Sequence, residues 1–236
     1  MKKNADSDKR FVELKNRYYE NGLESLSEQE QLELLLRFSD KRIDSASLAE
    51  KLLSEYGCLH TAFEMPFAAL SDMGLNDKEA ALLMMMPQLY ERYRISIVEQ
   101  KYRGKPLDTD EAVAEYMSPH FSCNREEIVV LLLLSKHRTP LLCDIINDGT
   151  VNASDINIRK ILELCVSNNA EYAVIAHNHP SGIALPSEKD IDATLRLIEK
   201  TSLIGVTLLD HIIFADSERT FLSKLNNTKC LFIKKQ

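Results

Sequence analysis

Hydrophobic and polar positions follow two different periods along this chain, and the change falls near residue 100. Between residues 9 and 100 the apolar residues recur at the spacing of helix faces, as in LSEQEQLELLLRF. Beyond residue 108, short aliphatic runs such as EEIVVLLLL at 126–134 and EYAVIA at 171–176 alternate with amphipathic stretches. The first pattern is typical of packed helices, and the second is typical of buried strands with helices between them.

This change of period predicts the domain organisation. We expect a helical domain over residues 1–100, a polar linker over 101–108 that contains Gly104 and Pro106, and a mixed sheet flanked by helices over 109–236. The predicted fold class is therefore α/β in the α+β sense, with the helices of the first domain segregated from the sheet of the second.

Local signals set several helix boundaries in the first domain. Ser27 with Glu30 three residues later is a capping box, which marks the start of a helix. Gly57 follows SASLAEKLLSEY and indicates the end of that helix. Pro87 falls inside the long helical pattern that begins at DKEAALLMMM, so we expect a break or a kink there.

The second domain is predicted to alternate between strands and helices. The expected strands are 126–134, its antiparallel neighbour 139–146, 171–176, GVTLLDHIIFA and CLFIKK. Helices are expected in INIRKILELCVSNN and SEKDIDATLRLIEKTSLIG. The apolar residues of each helix fall on one face, so both helices can pack on the sheet.

Composition and charge limit the classes of function. The chain has 236 residues, of which 44% are hydrophobic and 28% are charged, and its net charge is −7. Residues 1–105 carry 16 basic and 18 acidic side chains, or −2, and the rest carries 13 and 18, or −5; neither part is basic as nucleic-acid binders usually are. The five cysteines are scattered, no apolar run could span a membrane, and the N-terminus lacks an apolar signal region. We therefore expect a cytoplasmic protein without disulfides.

The stretch AHNHPSGIALPSEKD at 176–190 carries the candidate chemistry. His177 and His179 are two residues apart at the end of a predicted strand, so both imidazoles point to one side. Asp190, at the start of the next helix, can supply a third ligand, and catalytic zinc is often held by three protein ligands. Two alternatives stay open from the residues alone. The histidines can form an ordinary polar turn, and Ser187 with Asp190 also forms a capping box.

The same stretch resembles a known motif. His-x-His-Pro followed by Ser-x-x-Asp resembles the JAMM signature of JAB/MPN-type metalloproteases, and HNHPSGIALPSEKD resembles its RadC branch. The resemblance covers most of the chain, because GTVN at 149–152, LLDHIIF at 208–214 and FLS at 221–223 are similar to RadC segments, and the N-terminal helices are similar to its helix-hairpin-helix region. It implies a JAB/MPN mixed sheet of cytidine-deaminase-like topology. It also implies a hydrolase that directs metal-activated water at a peptide or isopeptide bond of a protein or peptide substrate.

The resemblance assigns roles to individual residues. Its implied Zn²⁺ ligands are His177, His179 and Asp190. It implies that Glu126 accepts a proton from the attacking water and that Ser187 stabilises the oxyanion. By strand alternation, Glu127 is then expected on the opposite face.

Other polar residues are expected to have smaller roles. Asn178 and Ser181 are expected to fix the loop by side-chain hydrogen bonds. His211, in the Asp-His pair of LLDHIIF, is expected to be a core histidine. The remaining histidines are expected at the surface: His60, His120 and His137.

Two departures from the family pattern leave the function open. The helix after GTVN has Ile158-Arg159-Lys160 where the family usually has Pro-Arg-Glu, which puts a substrate contact from that helix in doubt. The turn that is usually Gly-x-Gly is Gly74-Leu75-Asn76, whose asparagine would crowd a phosphate at the next backbone amides, so only weak DNA binding is expected. The alternative to a hydrolase is a non-catalytic binding or scaffold protein associated with DNA metabolism that keeps the fold.

Overall fold

The computed structural model describes residues 2–39, 44–122, 126–146, 156–216 and 218–232, and for residues 2–7 it describes the backbone alone. It divides into two compact units, Met1–Tyr90 and Glu91–Gln236. This division lies inside a helix, whereas the sequence pattern predicted a boundary at residue 100. The segment GTVN at 149–152 lies outside the described residues.

The first unit is helical throughout its described elements. They are α1 Lys2–Asn21, a 3₁₀ turn Leu23–Ser25, α2 Glu28–Ser39, α3 Ser45–Tyr56, α4 Leu59–Phe63, α5 Phe67–Asp72 and the first part of α6 Asp77–Lys101. Two predicted boundary signals are confirmed. Ser27 and Glu30 exchange capping-box hydrogen bonds before α2, and α3 ends at Gly57 with φ 82°.

Helix α6 continues through Pro87, so of the predicted break or kink at this proline the break is wrong, and the kink stays a prediction. A proline inside a helix removes one backbone hydrogen bond and crowds the preceding turn. The residues on both sides are mostly strong helix formers, such as those of EAALLMMM, and their combined preference outweighs one lost bond.

The second unit contains a sheet between helical layers. Its helices and strands are α7 Asp110–Met117, β1 Val129–Leu134, β2 Pro140–Ile145, α8 Ile158–Ser167, β3 Tyr172–Asn178, α9 Glu188–Leu203, β4 Thr207–Ala215 and β5 Glu218–Phe221. The strand order is β2-β1-β3-β4-β5; β3 and β4 are parallel and the other pairs are antiparallel. The predicted α+β class is confirmed. The predicted strand CLFIKK is wrong for residues 230–232, which belong to the 3₁₀ turn Lys229–Phe232, and its residues 233–235 lie outside the described part of the chain.

Strand β1 is buried on both faces, and its alternation assigns each face to a different layer. Val130, Leu132 and Leu134 pack in a core with α7 residues. The intervening residues, Val129, Leu131 and Leu133, pack in a second core under α8 and α9. Side chains two apart share a face, so any residue with the parity of Val129 belongs to the side of α8 and α9.

The strand register places the side chains of His177 in β3 and His211 in β4 on the same face of the sheet. Val129 of β1 lies opposite His177 of β3, and Ile175 of β3 lies beside His211 of β4. Both histidines therefore point toward α9.

Among the described residues, no helix is both long enough and apolar enough to cross a membrane.

Candidate metal centre

Four metal-ligating side chains converge at the carboxyl end of β3. They are Glu127, His177, His179 and Asp190, and one donor atom from each lies within 4.8 Å of the others. Three separate segments supply them: the residues before β1, the end of β3 and the first turn of α9. Such a convergence of imidazoles and carboxylates is the donor set of a divalent metal ion.

His177 lies at the centre of this group and is 2% exposed. Its Nε2 atom is 2.8 Å from His179 Nε2, 3.5 Å from Asp190 Oδ1 and 3.9 Å from Glu127 Oε1. Burial lowers the pKa of His177 to about 4, against an opposing effect of the Asp190 carboxylate. A neutral imidazole is the form that binds a metal.

His179 has its outer ring nitrogen fixed by the loop that follows. Its Nδ1 atom donates to the carbonyl oxygen of Ile183 at 2.8 Å, because a carbonyl can only accept. The turn between them uses Gly182 at φ 78°, where an added Cβ would lie 2.9 Å from an Asp216 carboxylate oxygen. The loop therefore directs the Nε2 atom of His179 at the cluster.

Asp190 is held by the capping box of α9. The backbone N–H and the hydroxyl of Ser187 both donate to Asp190 Oδ2 at 2.7 Å, and Asp190 N–H returns a bond to Ser187 Oγ at 3.3 Å. The predicted cap is confirmed. It fixes one carboxylate oxygen and leaves Oδ1 toward His177, so capping and metal binding are compatible uses of the same residues.

The expected positions of Glu126 and Glu127 are wrong, because Glu127 and not Glu126 faces the cluster. Glu127 lies two residues before Val129, so its side chain is on the same face of the sheet as that of Val129. Val129 pairs with His177, and the same antiparallel register, extended by two residues, puts Glu127 opposite His179. Burial raises the pKa of its carboxyl, and the charge of Asp190 adds to this effect. Glu126 is exposed.

Asn178 forms hydrogen bonds different from those expected. Its side chain accepts from the Ile128 N–H at 2.8 Å and donates to the Glu126 carbonyl at 3.0 Å. It thus fixes the segment that carries Glu127, not its own loop. Ser181 is exposed, and its hydroxyl makes no hydrogen bond within the described part of the chain.

His211 is a buried histidine whose two ring nitrogens both have side-chain partners, which the sequence did not predict. Its Nε2 atom is 2.8 Å from His177 Nδ1, and its Nδ1 atom is 2.6 Å from Thr194 Oγ1. Burial, with smaller effects of His177 and His179, lowers its pKa well below the usual range. The prediction of a core histidine is confirmed for His211. The prediction of a surface position is wrong for His120, which is buried with a lowered pKa.

Asp210, next to His211, has a structural role. Its carboxylate accepts from the backbone N–H and the hydroxyl of Ser223 and from the His211 N–H. These bonds tie β4 to the turn after β5, and burial raises the pKa of the carboxyl. Asp210 thus fixes the backbone at His211 without reaching the cluster.

Donor distances can be compared with those around a bound zinc ion. Ligands about 2.0–2.2 Å from a tetrahedral zinc lie roughly 3.3–3.6 Å from one another. The 3.5 Å between His177 Nε2 and Asp190 Oδ1 fits this range, and the 3.7 Å between His179 Nε2 and the other oxygen of Asp190, Oδ2, lies just beyond it. The two histidine nitrogens, 2.8 Å apart, would have to separate by roughly half an ångström. The residues therefore fit a small tetrahedral cation.

The turn before α6 in the first unit has its amides occupied by protein groups. Gly74 takes the positive φ of 100°. Asn76 Oδ1 accepts from Lys78 N–H at 2.9 Å and from Glu79 N–H at 3.2 Å, and the Glu79 carboxylate accepts from Asn76 N–H at 2.8 Å. These groups stand where a phosphate would approach the helix N-terminus.

A mixed sheet between helices, with two histidines and two carboxylates at the end of its central strand, defines an α+β protein with a candidate metal site. A family model described as a RadC-like JAB domain matches residues 107–228. The chain belongs to the RadC family.

Relatives support the same assignment over most of the chain. A UPF0758 protein of Azotobacter vinelandii is 33% identical over 84% of this chain and 88% of its own length. Similar proteins occur in Neisseria meningitidis, 32% identical over 86% and 89%, and in Clostridium perfringens, 30% identical over 83% and 85%. These names state membership of a protein family and no activity.

Proposed function

We propose that this protein is a zinc-dependent hydrolase of the JAMM type that cleaves a peptide or isopeptide bond. The observation that carries the proposal is the convergence of two imidazoles and two carboxylates within 4.8 Å at the end of β3. Two acidic groups in one half-buried site repel each other, and a divalent cation would relieve this repulsion.

The proposed metal ligands are His177, His179 and Asp190. Each has its orientation fixed by a bond on the side away from the cluster: to His211, to the Ile183 carbonyl and to Ser187, respectively. Zinc in such a site lowers the pKa of a bound water to about 7 and polarises a carbonyl as a Lewis acid.

Glu127 is the proposed general base. It would accept the proton of the attacking water and pass it to the leaving amine, a role that requires a carboxylate beside the metal site. The raised pKa of Glu127 supports this role, because a base works best with a pKa near the working pH. Glu126 carries no such role in this proposal.

Ser187 is the proposed donor to the oxyanion. Its hydroxyl now donates to Asp190 Oδ2, and rotation about χ1 would turn it outward. The backbone N–H of Ser187 keeps the Asp190 carboxylate in place when the hydroxyl turns, while the longer bond from Asp190 N–H to Ser187 Oγ is lost.

Two cavities in the described part of the chain do not enclose the four donors. The larger, of about 690 Å³, lies between α9, β4 and the Lys229–Phe232 turn and contains none of them. A cleft of about 410 Å³ reaches His179, but Phe121 and Phe214 in its lining pack on the α7 side of the sheet, opposite the face that carries His177. The proposed substrate site is therefore the surface over the four donors, where His179 and Glu127 are half-buried.

Metal binding tests the proposal first. The tag-free protein is titrated with Zn²⁺ against a chromogenic chelator and with Co²⁺, whose absorption reports tetrahedral coordination. We expect one ion per chain, with binding abolished in His177→Ala. A folded protein that takes up less than about a tenth of an equivalent would favour the non-catalytic scaffold alternative.

The pair Glu127→Gln and Glu126→Gln tests the mechanism. Both variants remove one carboxylate nearly isosterically, and the two positions are adjacent. With the Zn²⁺ protein and a library of internally quenched peptides and isopeptide-linked peptides, Glu127→Gln should keep the metal and lose about 10²–10⁴-fold in rate, while Glu126→Gln stays near wild type. Loss of the metal in Glu127→Gln would make Glu127 a ligand. No cleavage by the loaded wild type across the library would overturn the hydrolase assignment.

A further inference from the structure

A continuous chain of buried hydrogen bonds links two of the proposed ligands behind the site. It runs from His177 Nδ1 to His211 Nε2 at 2.8 Å, from His211 Nδ1 to Thr194 Oγ1 at 2.6 Å, and from Thr194 Oγ1 to the Asp190 carbonyl at 2.6 Å. His211 is 1% exposed and Thr194 is 0% exposed. Water therefore cannot replace either partner, and every hydrogen in the chain has to be placed by the protein.

The hydrogens of this chain can run in two directions. In one, the Thr194 hydroxyl donates to His211 Nδ1, His211 Nε2–H donates to His177 Nδ1, and the remaining hydrogen of His177 sits on Nε2. In the other, His177 Nδ1–H donates to His211 Nε2, His211 Nδ1–H donates to Thr194 Oγ1, and the hydroxyl donates to the Asp190 carbonyl. Only the second direction leaves the Nε2 lone pair of His177 open to a metal. It also sets two lone pairs against each other, at His177 Nε2 and His179 Nε2, because His179 carries its hydrogen on Nδ1, and a cation between these atoms would relieve the repulsion.

We propose that His211 and Thr194 are positioning residues that hold His177 in the tautomer whose Nε2 binds the metal, a role that rests on the proposed metal site. His211 supplies the acceptor for His177 Nδ1–H. Thr194 supplies the acceptor that keeps the hydrogen of His211 on Nδ1. His211 lies on the face of β4 that α9 covers and Thr194 lies on α9, so the packing of this helix on the sheet fixes their spacing.

This chain of hydrogen bonds also connects strand β3 with helix α9. Thr194 is one turn after Asp190 in α9, and its hydroxyl ends the chain on the backbone of that ligand. The position of His177 on β3 is thereby coupled to the first turn of α9. A threonine that served only the helix would bond to helix carbonyls three or four residues earlier and to no side chain.

Thr201 is such a threonine and provides the matched control. It lies on the same helix, is also 0% exposed, and donates to the Leu197 carbonyl at 2.8 Å. Within the described part of the chain, its hydroxyl bonds to helix carbonyls alone, those of Leu197 and Ile198. Thr194→Val and Thr201→Val thus remove the same group from the same environment, and only the first breaks the chain.

The test measures Zn²⁺ affinity by chelator competition in four proteins: wild type, Thr194→Val, Thr194→Ser and Thr201→Val. Valine at 194 removes two hydrogen bonds from the second direction, from His211 Nδ1–H to Thr194 and from Thr194 to the Asp190 carbonyl, but only the bond from Thr194 to His211 from the first. It therefore favours the direction that blocks His177 Nε2. We expect Thr194→Val to weaken Zn²⁺ binding about 10–100-fold, Thr194→Ser to restore it and Thr201→Val to leave it unchanged. Equal affinities in the two valine variants would overturn the proposal.

Imidazole ¹⁵N spectra provide a readout that a structural role would not change. In the Zn²⁺ protein we expect the hydrogen of His177 on Nδ1 and that of His211 on Nδ1. In the metal-free protein, Thr194→Val should shift the hydrogen of His211 toward Nε2, while Thr201→Val should match wild type. If wild type binds no zinc, the proposed function fails, and the metal-free spectra still decide this inference. An unchanged pattern in Thr194→Val would refute it.

Discussion

Asn178→Ala should destabilise the second unit through the segment that carries Glu127. The Asn178 side chain is 7% exposed and substitutes for backbone pairing just beyond the last β1–β3 pair. Its loss leaves the Ile128 N–H, whose residue is 8% exposed, without an acceptor, at a cost of about 1–3 kcal/mol. The Glu126 carbonyl lies at the exposed end and can turn to water, so that bond adds less than about 1 kcal/mol. We expect a total loss of about 2–3 kcal/mol.

Urea unfolding and amide hydrogen exchange measure this loss in the metal-free protein. Asn168→Ala is the control, because Asn168 also donates from its side chain, to the Leu164 carbonyl at 2.8 Å, but at the more exposed end of α8. It should cost clearly less, and only Asn178→Ala should speed exchange of the Ile128 amide. Equal unfolding free energies in the two variants, with the Ile128 amide still protected from exchange, would show that the Asn178 side chain does not stabilise the segment that carries Glu127.

Two further predictions concern the first unit. Hydrogen bonds from Arg17, with further bonds from the Ser27 backbone and Arg10, lower the pKa of Glu30 to about 2. Because the folded-state pKa is depressed, the stability from this group is present above pH 4.5 and is lost as pH falls from about 4.5 toward 2. Glu30→Gln keeps the capping geometry but should flatten this part of the stability curve in acid unfolding; an unchanged slope would contradict it. For duplex DNA near physiological salt we expect weak or no binding, because the amides before α6 are bonded to Asn76. Sub-micromolar affinity with a steep salt dependence would contradict this prediction.

The sequence predicted most elements of the fold because their periods are strong. Strands β1 to β4 and helices α8 and α9 appear where aliphatic runs and amphipathic stretches predicted them. Strand β5 was missed because ERTF at 218–221 is short and polar, with two exposed residues, and shows no apolar alternation. CLFIKK has a strand composition, but Lys229–Phe232 turns as a 3₁₀ segment. In such short segments tertiary context decides, and propensity does not.

Which of two adjacent glutamates faces the site could not be read from the sequence. EEIVVLLLL has no alternation between apolar and polar residues, because β1 is buried on both faces. The pattern therefore leaves open which face each carboxylate takes, and a one-residue shift exchanges Glu126 and Glu127. The pairing of Val129 with His177 resolves the choice. The contact between His211 and Thr194 was likewise hidden, since it depends on the packing of α9 on β4.

The topology of the sheet explains why the donors meet at all. Strand β1 runs antiparallel to β3, so β1 begins at the edge where β3 ends. Helix α9 follows β3 through one loop, so its N-terminus starts at the same edge. The first donor therefore arrives from a segment about fifty residues before the histidines, and it can reach them only after β1 has paired with β3. The motif at 176–190 is local and visible in the sequence, whereas the fourth donor is a property of the folded sheet. This is why the two histidines and Asp190 could be singled out from the sequence, whereas the proximity of Glu127 to them required the folded sheet.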